Sequence, residues 1–392
     1  MNLILAAILA VTCAQVEQPR IDAAVRKGVE FLKTAPTPGF TYGKIDTTYE
    51  LVLLTFVHAG VPETDPKFQE YFKMLLERPL ERTYPVVLQA MILEEVDRVK
   101  YQARIAQCAQ FLIDNQCVNG QWSYGEPSAY VKDVPPPAKD VASGNKPKEA
   151  GARDFSVSTA KEKPKVRNKI PVKKMKDGPA TGDNSNSQYA ALGLRACHDS
   201  GIVLPKDVIE KCRKWWIDSQ HDSGGEKGVA TGGDVTGPPR GWCYSKASVC
   251  DKKHHPYASM TAGAVGALAI YDYILDMDRK KDASIKSGLA WLNANWSVSG
   301  NTGPAEFAAT TAAEHYYYLY ALERAGMLLD MTMIGNHDWY VEGAKLLLDG
   351  QKDGGSWVAG GGRSNSTWDT CYAILFLKKA TQKLVVSEDR KR

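Results

Sequence analysis

Apolar residues recur at helical spacing in twelve segments of this chain, and the segments alternate between two kinds. The first kind is amphipathic: Phe111, Leu112 and their equivalents share an inward face, while Lys, Glu and Gln take the outer one. The second kind is apolar or small on most sides, as in Thr261-Ala-Gly-Ala-Val-Gly-Ala-Leu-Ala, and must be buried nearly all round. Paired in order, the segments give six units. They are 21–33 with 47–58, 68–76 with 84–96, and 101–115 with 187–199. The other three are 207–220 with 258–275, 284–295 with 308–324, and 339–348 with 367–380. Pro85 fits a first helical turn. Ala59-Gly60, Gly201 and Ala325-Gly326 read as helix stops. Six hairpins of this make close naturally into two concentric rings, an all-α fold of the α/α toroid type. An open solenoid would need polar caps at both ends, and neither terminal unit is more polar than the rest.

The turns inside the hairpins carry a second signal. Phe111-Leu112, Gln116, Gly120 and Trp122 return at the same offsets as Leu346-Leu347, Gln351, Gly355 and Trp357. Two such copies mark an internal repeat. The run Trp215-Trp216, Gln220, Gly224 is a partial copy; Trp291-Leu292 to Gly300 keeps less, with Trp296 in the place of Gln. This pattern resembles the repeat of squalene and oxidosqualene cyclases and of protein prenyltransferase β-subunits. The resemblance covers nearly the whole chain apart from one insert. It implies a toroid in which the Gln caps a neighbouring helix end and the Trp packs across the repeat. It also implies a central cavity near the N-termini of the second helices.

With 392 residues, 44% hydrophobic and 24% charged, the composition is that of an ordinary globular protein. Residues 3–11 are apolar and Thr12-Cys13-Ala14 follows, so 1–14 reads as a signal peptide, with lipidation of Cys13 as the alternative. An exported protein, periplasmic or extracellular, is expected, with one toroid domain over 15–392. Export permits disulfides, and Cys243 with Cys250 is the expected pair. An insert at 126–182 interrupts the third unit. It holds Pro135-Pro136-Pro137 and, between Val131 and Gly178, thirteen Lys or Arg against six Asp or Glu. It should be disordered, either as a tolerated loop expansion or as a basic tether for an anionic partner. Its aromatics are too sparse for a nucleic-acid partner.

The cyclase acid run Asp-x-Asp-Asp is absent; Asp276-Met-Asp278 is the nearest, so squalene cyclisation is not expected. Asp369-Thr-Cys371-Tyr372 resembles the zinc element of the prenyltransferases, with His315 one unit earlier on an inner helix. The order is reversed relative to that family, which places its His after the pair. No cofactor is the first expectation, zinc on Asp369, Cys371 and His315 the second. The competing reading has Cys371 in the core and Asp369 as a helix cap. Cys243, Cys250, His254 and His255 also suit zinc by residue type, although a disulfide fits their spacing better. The presumed cavity rim supplies Tyr49, Glu50, Gln188, Tyr189, Tyr257, Tyr316 and Trp368 as ligand-binding candidates, with Tyr317 and Tyr318 beside them on the rim. Glu314, His315 and Asp369 are the acid–base candidates, because ionisable groups on an inner helix are costly unless they line a cavity or are paired. Asp183 to Ser187 read as caps. The polar, aromatic lining suits a glycan or peptide better than a bare isoprenoid. Two functions follow: a non-catalytic binding scaffold, or an enzyme. The enzyme would be a zinc-dependent transferase or an acid–base enzyme on a polysaccharide.

Overall fold

The uniformly apolar segments become a closed inner ring. The computed structural model describes residues 16–35, 48–134, 163, 165–222, 235, 237–244, 255–303, 314–360 and 365–384. Its inner helices are α2 (Thr48–Ala59), α4 (Thr83–Asp97), α6 (Asn184–Asp199), α8 (Ala258–Ile274), α10 (His315–Leu329) and α12 (Ser366–Leu377). Each packs on the next, and α12 packs back on α2, so the ring has no open end. The amphipathic helices form the outer ring: α1 (Gln18–Thr34), α3 (Pro66–Glu77), α5 (Gln102–Asp114), α7 (Lys206–Asp218), α9 (Ala283–Ala294) and α11 (Trp339–Gly350). Asp65, Asp183, Asp282, Asp338 and Asn365 cap helices by accepting backbone N–H bonds. No helix among the described residues is long and apolar enough to cross a membrane.

The repeated motif is the joint between units. Trp122 Nε1 donates to Leu112 O at 2.8 Å, and Trp357 Nε1 donates to Leu347 O at 2.7 Å. The backbone N–H of each Trp donates to a hydroxyl on the paired inner helix, Ser187 for Trp122 and Thr370 for Trp357, and Trp242 in the turn of the fourth unit donates likewise to Thr261. The Gln residues reach the next outer helix. Gln116 donates to Val208 O (2.8 Å), Gln220 to Ser284 O (2.9 Å) and Gln351 to Ala24 O (2.9 Å). Val208 and Ser284 lie in the first turns of α7 and α9, at the neighbouring helix ends that the repeat implied, whereas Ala24 lies in the second turn of α1. The last of them ties the final hairpin to the first helix and closes the outer ring.

Two expectations need correction. Ala325-Gly326 does not end a helix: α10 continues to Leu329 and stops at Asp330, in the left-handed region at φ 55. Gly326 is small because a Cβ there would lie 2.4 Å from the Trp339 ring. The proposed start of this helix at 308 lies outside the described residues.

The insert, too, is partly built into the fold. Ile170–Pro171 (β1) pairs in parallel with Ile202–Val203 (β2), and Val134, Ile170 and Val172 are buried. Lys173 O accepts from Gln110 Nε2, Met175 N donates to Asp114 Oδ1, and Gly178 N donates to Gln116 O. Residues 165–182 thus strap the outer helix α5. Residues 135–162 lie outside the described residues. The short antiparallel pairs β3 (His221–Asp222) with β4 (Arg240–Gly241), and β5 (Met333–Ile334) with β6 (His337–Asp338), complete the fold.

Candidate functional site

The N-terminal end of the inner ring is filled by tyrosines from four helices. Tyr84 of α4 lies 4.3 Å, centroid to centroid, from Tyr189 of α6. Tyr317 of α10 stacks parallel to Tyr189 at 6.1 Å, and Tyr372 of α12 meets Tyr317 at 5.7 Å and Tyr320 at 5.8 Å. Their phenols are linked. Tyr84 and Tyr317 both meet Ser185 Oγ, the latter at 3.4 Å, and Tyr189 OH reaches Tyr372 OH at 3.5 Å. Beneath them is Arg324, its guanidinium 4.4 Å from the Tyr320 ring centre and 5.3 Å from that of Tyr189. Tyr317, Tyr320 and Arg324 stand at i, i+3 and i+7, one face of α10, which is why they converge. Burial pushes the phenols of Tyr84, Tyr189, Tyr317 and Tyr372 up, so they are neutral hydrogen-bonding groups at pH 7.

Among the described residues, a carboxylate stands exposed beside this floor. Glu314 precedes α10, and its negative charge raises the phenols of Tyr189, Tyr257 and Tyr372, secondary to burial. Asp183 acts similarly on Tyr84 and Tyr257. Asp183 is itself buried and structural: it accepts from Asn186 N and Asn186 Nδ2, both at 2.8 Å, as the cap of α6.

The candidates named from sequence divide accordingly. Glu314, Tyr189, Tyr257 and Tyr317 belong to this end of the ring. Gln188 supports it from within, its Oε1 accepting from Arg324 Nη2 at 2.8 Å. Tyr49 and Glu50 face the other way. Glu50 pairs with Arg78 at 2.7 Å, and Tyr49 lies under the same guanidinium and against Tyr71 of α3. The cause is the charge of Arg78 at the end of α3, which draws both outward.

His315 donates from Nε2 to Val298 O at 2.8 Å, and burial lowers its pKa; Tyr316 packs against its ring. Asp369 is buried, and its Oδ2 accepts from Ala359 N at 2.8 Å, tying down the motif turn; the cap of α12 is Asn365. Trp368 is half-buried against the core. Cys371 is fully buried beside Thr55, and burial pushes its thiol up to about 12. Among the described residues no three His, Cys, Asp or Glu come together as a metal site, so Asp369, Cys371 and His315 do not assemble as zinc ligands. Cys243 is disulfide-bonded; Cys250 and His254 lie outside the described residues.

Sequence reading missed Tyr84, Tyr320 and Arg324, and saw Tyr372 only as part of a motif. The available signal was an arginine inside an inner helix, in phase with two tyrosines.

The opposite end of the ring holds a cavity of about 50 Å³ among Glu94, Glu95, Lys163, Arg195, Asp199 and Thr381. That is room for a few waters. Its charges are matched: Lys163 of the insert bridges Glu94 at 2.5 Å and Glu95 at 2.7 Å, and Arg195 and His198 hold Asp199.

No family model matches the chain, and no curated protein matches it. Among solved structures it is similar to one from Salmonella enterica serovar Paratyphi A, described as a possible member of the GH105 family. The TM-score is 0.50 at 10% sequence identity, over 93% of this chain and 94% of that chain. This likeness shows the fold. The chain is an α/α toroid, as the repeat implied, and its similarity to squalene cyclases and prenyltransferases stays at the level of the motif.

Proposed function

We propose that the tyrosine-lined end of the inner ring binds a saccharide and that the chain is an acid–base enzyme acting on a polysaccharide. The observation that carries this is the convergence of Tyr84, Tyr189, Tyr317 and Tyr372 with Glu314 at one end of the ring. Aromatic faces stack on sugar rings, neutral phenols exchange hydrogen bonds with hydroxyls, and an exposed carboxylate can carry a proton. The solved structure with the similar fold is described as a possible member of the GH105 family, which agrees with chemistry on a saccharide. The disulfide at Cys243 agrees with export to a compartment where polysaccharides are met. Glu314 is the proposed proton carrier, and the tyrosines orient the sugar.

A second reading rests on Asp183. Glycoside hydrolysis ordinarily needs two carboxyl groups, and Asp183 is committed to capping. A binding module using the same tyrosines, without turnover, answers to that fact. Reducing-end release from a panel of plant, algal and bacterial polysaccharides separates the two. The enzyme reading expects turnover that falls by about 10² or more in Glu314→Gln, with the fold intact. Binding without turnover by the wild type would replace it with the module. Undiminished turnover in Glu314→Gln would remove Glu314 from the chemistry.

A further inference from the structure

The strap over α5 carries a row of cations that the fold has fixed in place. From Lys165 to Lys176 the chain holds six Lys or Arg and no Asp or Glu; the whole chain is at +4, so the remainder carries −2. Burial alternates along the strap. Val166 lies against Gly201, and Ile170 and Val172 are buried, while Lys165, Arg167, Lys169 and Lys173 are exposed. That alternation sets the four basic side chains on one edge, the first three about 6.6 Å apart along the chain. Among the described residues, no carboxylate pairs with any of the four; Lys174 bridges Asp177 at 2.7 Å. A block of like charges this long ordinarily repels itself into disorder. Here the backbone is pinned. Asn168 O accepts from Gln102 Nε2 at 2.8 Å, Ile170 N donates to Gly201 O at 3.1 Å, and Val172 N donates to Val203 O at 3.2 Å. The strap also has a direction. Lys163 is fastened to Glu94 and Glu95 near the end of α4, and the chain then climbs α5 to Gly178 beside Gln116 and to Asp183, the cap of α6 at the tyrosine end. The cations therefore lead from one end of the ring to the edge of the candidate site.

We propose that Lys165, Arg167, Lys169 and Lys173 form a surface that binds a linear acidic polysaccharide and holds it outside the tyrosine end. The cations stand in a line rather than around a pocket, which fits an extended polyanion and not a single small anion. Such a polymer gains by releasing its own condensed counterions onto a fixed cation row. No aromatic residue occurs between Lys163 and Gly182, so the strap offers no stacking platform for nucleic-acid bases. The choice of a polysaccharide among polyanions rests on the saccharide reading of the tyrosine end; the cation row stands without it.

The test measures binding of the full-length protein to immobilised dextran sulfate, with neutral dextran as control, over a series of sodium chloride concentrations. Wild type should bind the sulfated polymer and not the neutral one, with an affinity that falls as salt rises. The triple variant Lys165→Gln, Arg167→Gln, Lys169→Gln should raise Kd by about tenfold or more and flatten the salt dependence. Lys73, Lys281 and Lys345 are exposed elsewhere on the molecule. Their replacement by Gln makes the same change in net charge and should alter Kd by less than about twofold. Lys173→Gln alone should weaken binding several-fold. Equal losses in the two triple variants, or none in the first, would overturn the proposal. Tighter strap-dependent binding to single-stranded DNA would overturn it in favour of a nucleic acid. Glu314→Gln should bind dextran sulfate as wild type does. Strap-dependent binding without turnover of any polysaccharide would sink the enzyme reading and leave the strap standing.

Discussion

Asp199 shows how a single residue ties a helix end to its surroundings. It closes α6 and accepts from Tyr273 OH at 2.9 Å and Arg195 Nε at 3.3 Å, with His198 Nδ1 at 3.2 Å. Burial alone would raise its pKa, but the His198 hydrogen bond, the charges of Arg195 and His198 and the Tyr273 phenol outweigh it and bring the carboxyl down to about 2. A carboxyl depressed in the folded state contributes stability above its unfolded pKa, near 4, and loses it as pH falls through the folded value. Asp199 should therefore contribute about 2 kcal/mol at neutral pH, lost between roughly pH 4 and pH 2. Urea denaturation across that range should show Asp199→Asn less stable than wild type at pH 7, with the gap closing as pH falls. A gap that does not narrow would contradict this. At this scale the sequence was uneven as a guide. Cys371 in the core and Asp183 as a cap were legible, because thiols at apolar helical positions and Asp before a helix have ordinary structural uses. The direction of Glu50 was not, since its partner Arg78 comes from another helix.

At the scale of elements, the repeat was the strongest signal because its geometry is demanding. Gly355 has φ 89, and a Cβ there would fall 2.4 Å from Lys27 O in α1. This glycine lets the last turn touch the backbone of the first helix. Gly120 does the same against Lys211 O in α7, at φ 95. Gly355→Ala should destabilise the protein by roughly 2–4 kcal/mol, from positive-φ strain together with the backbone clash. A Cβ on Gly354 meets nothing within 4 Å. Gly354→Ala should accordingly stay within about 0.5 kcal/mol of wild type. Equal effects of the two substitutions in chemical denaturation would show that the turn does not carry ring closure. Where local signals failed, a tertiary contact had taken over. Gly326 resembled a stop but is small to admit Trp339. The insert resembled a solvated charge run, and the few apolar residues spaced through its lysines, Ile170 and Val172 among them, were enough to dock it. Lys163 then found Glu94 and Glu95 on α4, which no local pattern could disclose.

At the scale of the whole molecule, the six hairpins and their closure followed from hydrophobic patterning, since a helix apolar all round has to be an inner helix. The site was only half legible for the same reason. The ring brings together Tyr84, Tyr189, Tyr317 and Tyr372 from positions almost three hundred residues apart, and only closure makes them neighbours. Closure also makes the two ends of the ring chemically different. One is aromatic with an exposed carboxylate, the other a small cavity of matched charges around Lys163. On the proposed reading, the aromatic end is the one that takes the ligand. The most direct test is a crystal structure after soaking with the oligosaccharide that the polysaccharide panel singles out. Sugar density against Tyr84, Tyr317 and Glu314 is the predicted result. Density at the Glu94–Lys163 end, or on the outer surface with the tyrosines uncontacted, would contradict it.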